Sequence, residues 1–313
     1  MEPLSIFFIL IPIGLAVGIF ASITGLGGGV LMVPILFLGI FAFSEPLFDS
    51  IKYATTISST VIIFTAISGT IAFVIQKRID YIVALLCAPF TIAGAYLGKF
   101  AQNKIDETTV LIFFAILLVL TAARMTFKVI STKRQEKQEN QLEDSKNENG
   151  NNEKTIEDEP SRFKLLLDKL TLERNFDDRS NKNWQYKARL YLTPIAIVGG
   201  FVASMAGVGG GIIMVPVLHI FIGLPIHFSA ATSVFIMIFT KSTTVITAYT
   251  TETETAGIWW SYVAGLAIGI VVGAQIGARV ARKIKADPLK ITFATVLVLV
   301  SIWTIVEWQL GLA

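Results

Sequence analysis

Hydrophobic positions in this chain come in long runs rather than scattered stripes. The first half carries apolar stretches at about 4–43, 52–75, 80–101 and 108–128, and the second at about 190–223, 229–250, 257–281 and 288–310. A run of about 20 apolar residues is long enough to cross a bilayer as a helix. The pattern therefore predicts an all-α polytopic membrane protein. The first stretch of each half is too long for one crossing, and each is interrupted by a cluster of glycines.

Polar residues concentrate between the halves. The run "STKRQEKQENQLEDSKNENGNNEKTIEDEP" holds almost no large apolar side chain. It cannot bury enough surface to offset its ordering entropy, so disorder is expected. In the following "SRFKLLLDKLTLERNF", Phe163, Leu166, Leu167 and Leu170 recur at helical spacing, which predicts a short amphipathic helix on the membrane surface. The chain divides accordingly into membrane repeat 1 (1–128), a polar linker (129–189) and membrane repeat 2 (190–313).

The halves are internal repeats. "GIFASITGLGGGVLMVP" at Gly18 and "GFVASMAGVGGGIIMVP" at Gly200 agree at ten of seventeen positions without a gap. "ATTISST" at Ala54 pairs with "ATSVF" at Ala231, and "GAYLG" at Gly94 with "GAQIG" at Gly273. Loop charge orients them. Lys77, Arg78, the linker and the Arg279–Lys285 segment are basic and belong in the cytoplasm by the positive-inside rule, whereas Glu45, Asp49, Glu252 and Glu254 fit the outside. These assignments put the linker inside and both termini outside. They also require each long first stretch to end on the side where it begins. The expectation is two inverted repeats, each a Gly-rich helical hairpin plus about three transmembrane helices.

Composition agrees. The chain of 313 residues is 53% hydrophobic and 16% charged, against about 25% charged in soluble domains. The formal net charge of +3 averages over two sides of a membrane and gives no reason to expect nucleic acid. The single cysteine, Cys87, excludes an internal disulfide framework and a multi-cysteine metal site. The N-terminal "MEPLSIFFIL" lacks the basic region of a signal peptide and is read as a retained membrane segment.

The glycine clusters carry the candidate chemistry. Non-helical backbone at membrane depth is tolerated where protein or a wet cavity satisfies it. A glycine turn that opens a helix presents free N–H groups at a positive dipole end. Gly25, Gly27, Gly28 and Gly29, with Gly207, Gly209, Gly210 and Gly211, are thus candidate anion-binding positions, each cluster followed by Pro34 or Pro216. The plainer reading is that these glycines only let helices turn and pack. That reading fits the stripe Gly265, Gly269, Gly273 and Gly277, a helix–helix contact. Lys241 falls near the centre of its span, where an ionisable side chain is a functional candidate. Ser242 and its hydroxyl neighbours Thr243 and Thr244 could add donors. Thr55, Thr56, Ser58 and Ser59 match Thr232 and Ser233 between repeats and either line a polar path or bond their own helices. His219 is a possible titrating group, with a packed histidine as the alternative.

The duplicated "GLGGGVLMVP" and "GVGGGIIMVP", each followed by "AT" and a "GA-x-x-G" segment, resemble the TauE/SafE sulfite exporter family. The resemblance implies a transporter of small sulfur-containing anions such as sulfite, sulfonates or thiosulfate; the plasma membrane is the default location, and no cofactor or metal is expected. The partners expected are therefore a small anionic substrate and the lipid bilayer. No span holds a central Asp or Glu, so no carboxylate proton relay is evident. A negative-inside potential favours outward anion movement by about 2.3 kcal/mol per charge per 100 mV, and export is expected. An enzyme is disfavoured, since HExxH, paired intramembrane carboxylates and a nucleophile–base pair are all missing from the sequence. A channel-like anion pathway is the alternative, with a receptor or scaffold further behind.

Overall fold

The computed structural model describes residues 3–24, 28–38, 51–106, 108–120 apart from 111, 114, 117 and 118, 171–177, 183–207, 209–251, 260–280 and 302. In chain order these form α1 (Pro3–Thr24), α2 (Gly29–Leu38), α3 (Ile51–Ile75), α4 (Tyr81–Lys104), strands β1 (Thr171–Asp177) and β2 (Asn183–Arg189), and a 3-10 turn (Leu190–Ile195). They continue as α5 (Ala196–Met205), α6 (Gly211–Pro216), a π-helical stretch (Val217–Ile222), α7 (Ile226–Thr251) and α8 (Trp260–Val280). Among the described residues, the Lys52–Ile75, Tyr81–Lys104 and Phe228–Thr251 segments are long and apolar enough to cross a membrane. The chain is an all-α membrane protein, and its helices fall on the apolar stretches of the sequence. Gly25, Gly27, residues 129–170 with the Phe163–Leu170 quartet, the acidic segments at 45–49 and 252–254, and the basic cluster beyond 281 lie outside the described residues.

Local chemistry sets the helix ends. Asp80 caps α4, its carboxylate accepting from the Ile82 and Val83 amides at 3.1 and 3.3 Å, a strong N-cap arrangement. The stretch from Ala196 breaks at Gly207, where φ is +64°, a conformation that costs L-residues with a Cβ. The second arm ends at Gly223, φ +94°, a left-handed C-cap.

The two halves interlock. α1 packs along α8, α5 along α4, and the equivalent helices α3 and α7 pack on each other. The contacts are reciprocal. Gly94 of α4 faces the Ile197 carbonyl of α5, while its counterpart Gly273 of α8 faces the carbonyl of Leu15 in α1. Gly200 faces the Thr91 carbonyl, while its counterpart Gly18 faces that of Ile270. In the sequence match, Leu15 corresponds to Ile197 and Ile270 to Thr91. Each contact is thus made twice with the repeats exchanged, the signature of an isologous, two-fold interface. The glycines are needed because a Cβ would strike a partner helix backbone. The α8 stripe is therefore a packing seam, as its spacing predicts.

The surface is apolar, and the interior holds polar groups among its apolar clusters. Large side chains such as Phe64, Ile71, Leu85 and Leu97 are exposed, while Thr55, Thr56, Ser58, Ser59, Lys99, Gln102 and Lys241 are buried. This inverts the pattern of a soluble protein and suits lipid outside and a functional core inside.

The end of the linker adds an element that the sequence pattern did not suggest. Thr171–Asp177 and Asn183–Arg189 pair as an antiparallel hairpin, with Glu173 opposite Lys187. The tail of the expected amphipathic helix, Thr171–Phe176, is therefore strand. The Lys187 ammonium lies 2.8 Å from the Glu173 carboxylate, and this hydrogen bond and charge hold the carboxyl below its ordinary range. Strand β2 is anchored to the membrane helices. The Tyr186 hydroxyl donates to the buried Asp80 carboxylate at 2.7 Å, and its ring packs on Phe228 at 5.8 Å. Gly223, at the end of the second hairpin arm, lies against the Lys187 carbonyl, just before the first arm begins at Leu190. The 190–223 stretch therefore returns to the end from which it starts.

Candidate functional site

The site forms where the α5 helix stops. An uninterrupted helix would direct the Gly207 amide to the Ala203 carbonyl, but that amide bonds to Ser204 O at 3.3 Å. The freed Ala203 carbonyl is met by the Lys241 ammonium of α7 at 2.7 Å. Met205 O accepts from Gln102 Nε2 of α4 at 2.9 Å, and Gly207 O from the Ser58 hydroxyl of α3 at 3.0 Å. Three helices thus each send one donor to the carbonyl end of a broken fourth. This answers the requirement that unwound backbone inside a membrane find protein partners.

Around these caps lies a second layer. Lys99 Nζ donates to Thr56 Oγ1 at 3.0 Å and to Gln102 Oε1 at 2.8 Å, and Gln102 Nε2 donates to Thr55 Oγ1 at 2.9 Å. Lys241 Nζ is 3.4 Å from Ser59 Oγ, and Thr244 donates to Ser204 Oγ at 2.9 Å. Lys99 and Lys241 are both 0% exposed. Among the described buried side-chain nitrogen and oxygen atoms, only Thr70 Oγ1 lacks a partner, so each such atom of the cluster has at least one.

One requirement does not follow from capping. Gln102 satisfies Met205 O with a neutral amide. The same task at Ala203 O is done by an ammonium, which at a helix centre in a membrane costs about 2.5–3.5 kcal/mol or more. Lys241's own contacts are a hydroxyl and a carbonyl.

The predicted site residues divide. Lys241, Thr55, Thr56, Ser58, Ser59 and Gly207 meet at the break, and Gly209, Gly210 and Gly211 are buried in the same turn. Ser242 is half-buried on α7 beside Lys241. Thr232 and Ser233 lie elsewhere. α3 and α7 run antiparallel, with Ser59 beside Lys241 and Gly69 beside Val234. The matching hydroxyls are thereby sent to opposite ends of the helix pair. Thr232 Oγ1 accepts from the Asp80 amide at 3.1 Å, and Ser233 donates to its own helix at 2.9 Å. His219 is exposed, its Nδ1 2.7 Å from Leu224 O, at the linker end and not at the break. The described part of the first glycine turn is apolar. Gly28, φ +73°, is walled by Ala21, Val17 and Ile270, and Gly29 is buried beside it.

Lys99 and Gln102 were not predicted. Their signal was helical periodicity: Ala84, Ala88, Thr91, Ala95, Gly98 and Gln102 mark one buried face of α4, and Lys99 lies on it. Neither lysine is duplicated. Ala278 stands where the repeat match puts Lys99, and Phe64 where it puts Lys241. The two-fold backbone thus carries a one-sided charge.

A duplicated glycine break, interlocked helices and a charged core are joined by a direct match. The family model of the sulfite exporter TauE/SafE matches residues 10–304. The chain belongs to the TauE/SafE family. It is similar to the probable membrane transporter protein YunE of Bacillus subtilis strain 168, 26% identical over 305 residues, covering 96% of this chain and 98% of that one. It is also similar to the probable membrane transporter protein MJ0441 of Methanocaldococcus jannaschii, 25% identical over 250 residues, 79% of this chain and 73% of that one. No solved structure matches it. As a TauE/SafE protein it is a membrane transporter and not an enzyme, and its substrate is a small molecule.

Proposed function

We propose that this TauE/SafE transporter carries a small sulfur-containing anion of the sulfite, sulfonate or thiosulfate class outward across the plasma membrane. The anion is held at the glycine break that begins at Gly207. The observation that carries the reading is the pair of fully buried lysines, Lys99 and Lys241, at the end of a broken helix. Gly207, Gly209, Gly210 and Gly211 let the chain approach the ligand closely, and the hydroxyls of Thr55, Thr56 and Ser59 supply neutral donors. In this reading substrate draws the ammonium groups from protein oxygens onto its own.

Two features support an inverted arrangement of the repeats. The equivalent helices α3 and α7 are antiparallel, and the Gly94 and Gly200 contacts are repeated by Gly273 and Gly18 with the halves exchanged. An axis lying in the membrane plane produces both. The linker hairpin packs at the same end as the Lys77–Arg78 loop, through Asp80 and Tyr186. This favours one cytoplasmic side for both and external termini.

The test is anion flux in proteoliposomes under an imposed potential, with sulfite, thiosulfate, a small sulfonate and sulfate. Lys241→Gln keeps a donor for Ala203 O and removes the charge, and Gly209→Val fills the break. Selective flux in the wild type, lost in both variants while both remain monodisperse, is expected. Undiminished flux in Lys241→Gln would show the lysine to be only a cap. Flux that runs inward and needs a sodium or proton gradient would refute export.

A further inference from the structure

Strand β2 presents two different faces at the linker end of the helices. Along Gln185, Tyr186, Lys187, Ala188 and Arg189 the odd-numbered residues are exposed, while Tyr186 is half-buried and Ala188 buried, the period-two alternation of a strand. The inward pair joins an apolar cluster. Ala188 belongs to it with Val83, Cys87, Met214, Leu218 and Phe228, and Tyr186 packs against it. The cluster reaches from the linker end to the glycine break, where Met214 Cγ lies 3.8 Å from the place of a Gly210 Cβ. Tyr186 also sits across the starts of α4 and α7. Its hydroxyl meets Asp80 at the head of α4, its ring meets Phe228 of α7, and the Asp80 amide donates to Thr232 of α7.

We propose that the 171–189 hairpin is a gate. Seated, β2 completes the apolar plug between the break and the linker end; lifted, it opens that end. This rests on the break being the transport site, and not on which anion is carried. A transporter opens its site to each side in turn, and on the linker side the described cover over the break is this cluster and the strand that completes it. The attachment suits a part that releases. Of the described β2 side chains only Ala188 is fully buried, and one methyl group adds little apolar area. The Tyr186–Asp80 hydrogen bond is of a kind that water replaces on opening. Segments that move in function are drawn from those with few buried apolar contacts. A permanent part of the core would insert large side chains here.

Cys87, the only cysteine of the chain, lies within the plug and reports its opening. Maleimide labelling of Cys87 in proteoliposomes should quicken about tenfold in Tyr186→Phe, the scale of one hydrogen bond to a carboxylate. A second measurement locks the hairpin. p-Azidophenylalanine in place of Tyr186 keeps the ring, and irradiation bonds it to its neighbours in the folded protein. Labelled thiosulfate flux should then fall in proportion to the cross-linked fraction. The same substitution at the outward-facing Gln185 should leave flux unchanged after irradiation. Undiminished flux in the locked protein, or Cys87 labelled no faster in Tyr186→Phe, would overturn the gate and make the hairpin a fixed brace. If the wild type moves no thiosulfate, the anion reading fails and the labelling rates decide the gate alone.

Discussion

Gly207→Ala tests whether the helix break is built as described. Two independent penalties add at this position. The backbone has φ +64°, where an L-residue with a Cβ costs about 1–2 kcal/mol. The new Cβ would also stand 2.5 Å from Thr55 Cβ and 2.7 Å from Thr55 Cα. These are main-chain-fixed atoms that cannot swing aside, and such overpacking costs about 1–3 kcal/mol. The expected loss is therefore about 2–5 kcal/mol. Gly210→Ala is the internal control within the same motif. Its φ is −55°, and its Cβ would meet Met237 Cγ at 3.3 Å, part of a flexible side chain that can repack. Its penalty should fall below about 1 kcal/mol, offset in part by the lower entropy of the unfolded alanine chain. Thermal unfolding in detergent, followed by tryptophan fluorescence, compares the two variants. At about 2–4 °C per kcal/mol, Gly207→Ala should melt clearly below the wild type and Gly210→Ala close to it. Equal melting of the two variants would refute the strained turn at Gly207.

The reciprocal packing predicts equal sensitivity at matched sites. Gly94→Ala and Gly273→Ala should each destabilise by about 1–3 kcal/mol, because each Cβ meets a partner helix carbonyl. Gly69→Ala, facing only Val234 Cγ1 at 3.2 Å, should lose less in the same melting assay, and a large difference between Gly94 and Gly273 would count against the two-fold arrangement. The linker anchor makes a separate prediction. Tyr186→Phe removes a hydrogen bond to a buried carboxylate, worth about 1.5–3 kcal/mol, so limited proteolysis within the 171–189 hairpin should quicken. Cleavage at the wild-type rate would show that the hairpin is held by packing on Phe228 alone.

Much of the architecture was legible because membrane physics writes it into composition. A bilayer demands runs of apolar residues, and the described helices fall on those runs. The glycine clusters were legible as breaks because few other residues allow the chain to turn there, and Lys241 was conspicuous as a charge at mid-span. The linker hairpin was not legible. Leu172, Phe176 and Trp184 offer little apolar pattern by themselves, and β1 is stabilised by pairing with β2, which docks Tyr186 on Asp80, a partner distant in sequence. Lys99 escaped notice because it lies near a helix end, where a lysine ordinarily reaches the interface. Only its position on the small-residue face of α4 turns it inward.

The sequence by itself therefore determined a duplicated helical membrane protein, the places where its helices break, and the presence of a charge in its interior. Those features follow from local requirements on solvent, backbone conformation and spacing. Only the tertiary structure decided which hydroxyls meet that charge. Thr55 and Thr232 are equivalent in sequence, yet the antiparallel packing of α3 against α7 sends one to the break and the other to Asp80. It also decided that a second lysine joins the first, because burial depends on which helix lies across from a side chain, and no local pattern records that.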